Sequence, residues 1–152
     1  MTSLFHMPGH LIRRLNQQSS AVFQERVKEA GYDVTSVQFA ALDTLEKNPN
    51  LDQAGLAKRI GYDRATIGGV VKRLEAKGLV GRTPDPDDRR AFRLALSAEG
   101  TALLARLRPV VIALQEDILP DLTSEERAVL LGLMKKALVG KNVAGQSTQA
   151  TK

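Results

Sequence analysis

Residues 51–99 hold a pattern that few folds accept: two short amphipathic segments separated by Gly61-Tyr62-Asp63, a glycine stop at Gly78, and then a change of period from helical to two. The first segment carries Leu56, Ala57 and Ile60 on one face and the second carries Ile67, Val71 and Leu74, the spacing of helices that bury one side and leave the other free for a partner. Asp52 is placed to cap a helix over 53–60 and Asp63 one over 64–77, which Gly78 ends. Leu79 to Thr83 and Arg90 to Leu96 then read as paired strands, with Phe92, Leu94 and Leu96 alternating against Ala91, Arg93 and Ala95. Their connection, Pro84-Asp85-Pro86-Asp87-Asp88-Arg89, combines two prolines with turn-forming aspartates. Together they predict a winged helix-turn-helix, mainly α with a small β-hairpin wing.

Helices flank this unit on both sides. Pro8 suits a first helical turn, and Leu11, Ile12, Leu15, Val22, Phe23 and Val27 recur at helical spacing until Gly31. Thr35 and Gln38 have the form of a capping box, opening a second helix that ends at Asn48-Pro49-Asn50. Ser97 caps a long helix towards Leu119 that contains Pro109, expected to bend it. Thr123 and Glu126 form another capping box before a final apolar helix, and the polar sequence after Gly140 reads as a disordered tail. Leu11, Leu15, Val22, Leu103, Leu104, Leu107, Val110, Val111, Leu114, Ile118, Leu130 and Leu133 exceed what a winged helix covers. Leaving even a few of these in water forfeits several kcal/mol at about 25 cal/mol per Å2. A homodimer is therefore expected, in place of an intramolecular three-helix cap. The chain reads as a single domain over 1–152, with dimerisation helices at 8–34 and 97–140, the winged lobe at 35–96 and the tail at 141–152.

The charge is concentrated in the lobe. The chain has 22 Lys and Arg against 17 Asp and Glu, a formal charge of +5. Between Lys58 and Arg93 stand ten cations (58, 59, 64, 72, 73, 77, 82, 89, 90, 93) against five acids (63, 75, 85, 87, 88), so this stretch carries the entire surplus. A basic face on a helix-turn-helix points to double-stranded DNA. Cysteine is absent, which excludes disulfides, thiolate redox sensing and Cys-ligated zinc. No apolar run approaches the roughly 20 residues that span a bilayer, so a cytoplasmic protein without a membrane partner is expected.

The order of elements, with RLEAKGLV at Arg73 to Val80, the Asp-Asp-Arg-Arg tip at Asp87 to Arg90 and LALSAEG at Leu94 to Gly100, resembles the MarR (multiple antibiotic resistance regulator) family over roughly residues 8–140. The resemblance implies a dimeric transcription factor, commonly a repressor, on a near-palindromic operator, often released by a small phenolic or aromatic acid. On that reading helix 64–77 lies in a major groove. Arg64, Ala65 and Thr66 then approach base edges and phosphates, Lys72 and Arg73 reach backbone, and Lys58 and Arg59 add phosphate contacts. Family members place a wing arginine in the minor groove and orient it with an acid two positions earlier, which matches Arg90 and Asp88; Arg89 is left for phosphate. Solvated surface charge is the plain alternative for each of these cations. The chain departs from the family at Gly68 and Gly69, which stand where polar or basic side chains are usual and cost about 1 kcal/mol each in a helix. Close backbone approach to DNA is one explanation and tolerated drift the other, and the departure shifts sequence readout towards the wing and DNA shape.

The opening MPGHLIRRL looks like that of family members controlling aromatic or nicotinate-type acid catabolism. His6, His10 and Arg14, with Phe39 as an apolar wall, are the candidate contacts to a small aromatic carboxylate, hydroxynicotinate-like by the resemblance; hydrogen bonding in a dimer interface is the alternative use. Zinc sensing by the two histidines lacks a third ligand nearby, and no other cofactor is indicated. An enzyme is disfavoured, since no phosphate loop, GxSxG elbow or cysteine nucleophile is present. The competing non-enzymatic reading is an architectural DNA binder or interaction module without effector sensing.

Overall fold

Among the described residues, five of the six α-helices start where short polar side chains satisfy backbone N–H groups that have no partner inside a helix. In the computed structural model, which describes residues 3–138, a single 3-10 turn at Leu4–His6 precedes α1 (Pro8–Glu29), with Pro8 in its first turn. Thr35 and Gln38 close the capping box of α2 (Ser36–Lys47). Asp52 takes the Gly55 N–H at 2.7 Å and starts α3 (Gln53–Ile60), which Gly61 ends at φ 73°. Asp63 starts α4 (Arg64–Ala76) by accepting from the Thr66 N–H at 2.7 Å and its hydroxyl at 2.9 Å. Ser97 starts α5 (Ala98–Ile118), which runs through Pro109, and the reciprocal Thr123–Glu126 bonds start α6 (Ser124–Leu138). The expected tail at 141–152 lies outside the described residues.

Those two Thr66 bonds, the backbone one first, hold the Asp63 carboxyl below the usual carboxylate range. A depressed folded pKa stabilises the fold above the unfolded value of about 3.9, and that contribution is lost as pH falls through the folded pKa. Asp63→Asn keeps an acceptor oxygen but does not titrate. It is expected to flatten the decline of the urea midpoint below about pH 4; equal acid slopes in the two proteins would refute it.

The hairpin forms as expected, with β2 (Val80–Pro84) antiparallel to β3 (Phe92–Leu96) in the register Val80↔Leu96, Arg82↔Leu94 and Pro84↔Phe92. A third strand, β1 (Leu51–Asp52), pairs with the other edge of β3 through Leu51↔Leu94, giving the order β1-β3-β2. Two residues are too few to show alternation, so this strand has no signature in the sequence. The alternation in β3 also overstates burial. Leu94 is buried, but Phe92 lies where the hairpin has left the core and is exposed, with the Arg82 guanidinium 5.8 Å above its ring.

Two apolar clusters share α5. Leu42, Leu45, Leu56, Ile67, Val71, Leu74, Leu94 and Leu104 form the core of the winged lobe, and Phe23, Val27, Val34, Leu107, Val111 and Leu114 join α1 to the second half of α5. Phe39 and Leu103 touch both clusters. Arg108 fastens α5 to α2 by donating to Asp43 at 2.9 Å and Glu46 at 2.8 Å, and Arg26 bonds Asp117 at 3.0 Å. This corrects the expectation that all twelve flanking apolar residues await a partner. Leu104, Leu107, Val111 and Leu114 are already buried within one chain, because α1 and α2 pack on α5. Leu11, Leu15 and Leu133 remain exposed, as do Ile12, Ile112, Val129, Leu131 and Met134. α6 buries none of its residues.

Candidate nucleic-acid interface

Helix α4 turns Ile67, Val70, Val71 and Leu74 into the core, which leaves Arg64, Ala65, Thr66, Lys72 and Arg73 on its outer side. Gly68 and Gly69 fall midway between the two cationic ends. The outer surface is therefore basic at both ends of the helix and bare in the middle. Beside it runs a groove of about 430 Å3 lined by Asp52, Gln53, Arg64, Arg82, Arg90 and Phe92. Three arginines thus converge from α4, β2 and the wing tip.

Ion pairing sorts the lobe's cations into two groups. Lys77 donates to the Asp33 carbonyl at 2.6 Å, tying the end of α4 to the α1–α2 connection. Arg82 pairs with Glu75, and Arg93 with Asp85 at 3.4 Å and Asp87 at 3.6 Å. Among the described residues, Lys58, Arg59, Arg64, Lys72, Arg73, Arg89 and Arg90 enter no ion pair, and all seven are exposed. These are the seven cations that the sequence assigns to DNA. Exposed cations with no internal partner are what a polyanion neutralises with release of its own counterions.

The tip itself is built from aspartates. Asp85 accepts from the Asp87 N–H at 2.9 Å, chiefly for which its carboxyl sits below the usual range, with Arg93 adding to the effect. Asp88 accepts from the backbone N–H of Arg90 at 3.0 Å. Asp88 thus helps shape the turn that carries Arg90, through the main chain. Thr66 is less available than its position suggests, since its hydroxyl proton is committed to Asp63. Arg82, Gln53 and Phe92 escaped the sequence reading. Arg82 stood only in the count of charges, and nothing local places Gln53 beside α4.

The four ligand candidates fall in two places. His10 lies in the first turn of α1 with its ring edge-on to Phe5 at 5.8 Å, His6 ends the preceding 3-10 turn and Arg14 is exposed one turn further along α1. Phe39 packs instead against Phe23, ring centroids 6.3 Å apart. From residue 10 to residue 23 an α-helix climbs roughly 20 Å, so one chain does not gather the histidines and Phe39 into a single pocket. Among the described residues no group of three or more His, Asp or Glu comes together in a way that would hold a metal, and no helix is long and apolar enough to cross a membrane.

Known proteins share this arrangement. The sequence model of the MarR family matches residues 34–92, the lobe that carries α3, α4 and most of the wing. The chain is 36% identical over 137 residues to the HTH-type transcriptional repressor NicR of Pseudomonas putida, covering 90% of this chain and 85% of that one. Among solved structures it resembles BpsR of Bordetella bronchiseptica, whose DNA binding is regulated by 6-hydroxynicotinic acid, with a TM-score of 0.82 and 28% identity over 92% of this chain and 99% of that one. It likewise resembles the PcaV transcriptional regulator of Streptomyces coelicolor in complex with its natural ligand, with a TM-score of 0.81 and 34% identity over 92% and 97% of the two chains. A winged lobe with its cations turned outward, and identity to a curated repressor that runs through the flanking helices as well, place the chain in the MarR family, whose members are DNA-binding transcription regulators and not enzymes.

Proposed function

We propose that the chain is a ligand-responsive repressor that binds a near-palindromic operator as a homodimer and releases it when a small aromatic acid binds. The observation that carries the DNA half of this reading is the set of seven exposed cations that enter no ion pair among the described residues, two of which, Arg64 and Arg90, line the groove between α4 and the wing. On this reading α4 enters a major groove with Arg64, Ala65 and Thr66 leading. Arg90, aimed by the Asp88 turn, enters the adjacent minor groove, and Lys58, Arg59, Lys72, Arg73 and Arg89 hold phosphates. Residues 8–34 and 97–140 serve as dimerisation helices around the lobe at 35–96. A second copy would cover the apolar surface that Ile12, Leu15, Leu130, Leu131 and Met134 leave open, a cavity of about 550 Å3. The lobe and the dimer helices are mechanically joined, because α5 belongs to both cores and Arg108 grips α2. A ligand that shifts α1 or α5 would thereby change the spacing of the two recognition helices.

For the effector, hydroxynicotinate-like acids are favoured by BpsR, whose DNA binding 6-hydroxynicotinic acid regulates. His6, His10 and Arg14 at one end of α1 supply donors for a carboxylate. Since Phe39 lies far along the same chain, a pocket using both would draw them from different protomers. No resident cofactor is required, and the working compartment is the cytoplasm.

A mobility-shift titration on the DNA flanking the chain's own gene, with excess nonspecific duplex, tests the whole reading. The expected result is a selective shift with two chains per duplex, weakened by 6-hydroxynicotinate. Saturating operator should in turn weaken ligand binding by the same factor, since coupling is reciprocal. Selective binding that no aromatic acid changes would favour a constitutive regulator, and equal binding to every fragment would remove the operator from the account and favour an architectural role.

A further inference from the structure

The two glycines of α4 differ in what the packing of the protein asks of them. A Cβ built on Gly69 would meet nothing within 4 Å, and one on Gly68 would meet a single neighbour, the Nε2 atom of Gln53 at 3.3 Å. Each glycine costs about 1 kcal/mol against alanine inside a helix, and the bare stretch leaves room for something to cross or approach it. At Gly68 the structure identifies what crosses it.

Gln53 is the first residue of α3, and the N-capping of that helix is performed by Asp52 on the Gly55 N–H, which leaves the Gln53 side chain free of that task. The residue is half-buried and its side chain reaches α4, where the absence of a side chain at position 68 lets the carboxamide lie against the helix. It also lines the groove shared by Arg64, Arg82 and Arg90. Where arginines hold phosphates they bind all sequences alike. Between Ala65 and Gly69, on the outward side of α4, Ala65, Gly68 and Gly69 offer no polar group and the Thr66 hydroxyl proton is held by Asp63. A carboxamide carries a donor and an acceptor side by side, the pair that matches N6 and N7 of adenine in a major groove.

We propose that Gln53, lying across the notch at Gly68, reads an adenine–thymine pair in each half-site, so that the first helix of the motif supplies base recognition that the bare middle of its second helix lacks. The proposal rests on the operator-binding reading above, and the test separates the two. Wild type, Gln53→Ala and Gly68→Ala are titrated at two salt concentrations with the operator and with duplexes altered one base pair at a time, including 7-deazaadenine, which lacks N7. Wild type should discriminate at one A·T pair per half-site by about 5- to 150-fold. Gln53→Ala should abolish discrimination at that pair alone, with the salt slope unchanged because a neutral contact releases no counterion. The 7-deazaadenine duplex should weaken wild type and leave Gln53→Ala unaffected. Gly68→Ala, whose methyl group pushes the carboxamide by a few tenths of an ångström, should reduce discrimination at the same pair. Equal weakening of Gln53→Ala on every duplex would make Gln53 a backbone contact and overturn the proposal, as would no change at all. A wild type that bound all duplexes alike would overturn the operator reading and this proposal with it.

Discussion

Gly100→Ala is expected to destabilise the fold by about 3 kcal/mol or more, at the upper end of what overpacking costs. A Cβ at this position would stand 2.1 Å from the carbonyl oxygen of Leu79 and 3.0 Å from its carbon, and both are backbone atoms that no rotamer change removes. Nor can the two chain segments draw apart freely. The same Leu79 oxygen accepts the Ser97 N–H at 3.0 Å, while the Ser97 hydroxyl donates to Gly78 at 2.6 Å and accepts from Gly100 at 3.0 Å. The end of α4, the start of β2 and the start of α5 thus meet in one knot of hydrogen bonds, with the fully buried Leu104 one turn beyond. Gly69→Ala provides the comparison. With open space around it and a helical backbone, the added methyl should raise stability by up to about 1 kcal/mol. Urea midpoints at unchanged m-value measure both, and a Gly100→Ala midpoint near wild type would mean that α5 slides without breaking the knot.

Arg90→Ala is expected to weaken operator binding by about 10- to 100-fold, or roughly 1.4–2.8 kcal/mol. The slope of log affinity against log salt should also fall by about 0.9 if the lost contact displaced one counterion. Arg90 is exposed and enters no ion pair among the described residues, so its removal should leave stability within about 0.5 kcal/mol of wild type. This separation of binding from folding is the informative part. Arg93→Ala, one strand position inside the tip, would by contrast release Asp85 and Asp87 and disturb the turn that presents Arg90. Fluorescence anisotropy with labelled operator at several salt concentrations gives affinity and slope together. Unchanged affinity of Arg90→Ala would take the wing out of the interface and leave α3 and α4 to carry recognition.

The elements most readable from the residues were those determined within one or two helical turns. Thr35 with Gln38, Asp52, Asp63, Ser97 and Thr123 with Glu126 each start a helix through bonds spanning three residues, and Gly61 and Gly78 end helices because their φ angles are positive. The charged part of the site was legible for a related reason. A cation on the outer side of an amphipathic helix has no buried alternative, so position on the helix and exposure coincide. The motif from Leu94 to Gly100 was recognisable as a signature, but its physical content was hidden until Leu79 and Gly100 were seen to touch across the fold.

Local chemistry in the sequence therefore determined where the helices begin and end, that the lobe is a winged helix-turn-helix, and which cations face outward. Tertiary structure decided what depends on contacts between segments distant in the chain. It joined Leu51 to β3, placed Arg82 over Phe92, buried Leu104 and Leu107 within one chain, and set Phe39 against Phe23, roughly three to four turns along α1 from His10. It also laid Gln53 across Gly68. Capping and periodicity are bonds and spacings along one helix or strand, and so leave a trace in order; approach between α3 and α4, or between β2 and α5, is set by how whole elements pack, and no short pattern of residues encodes it.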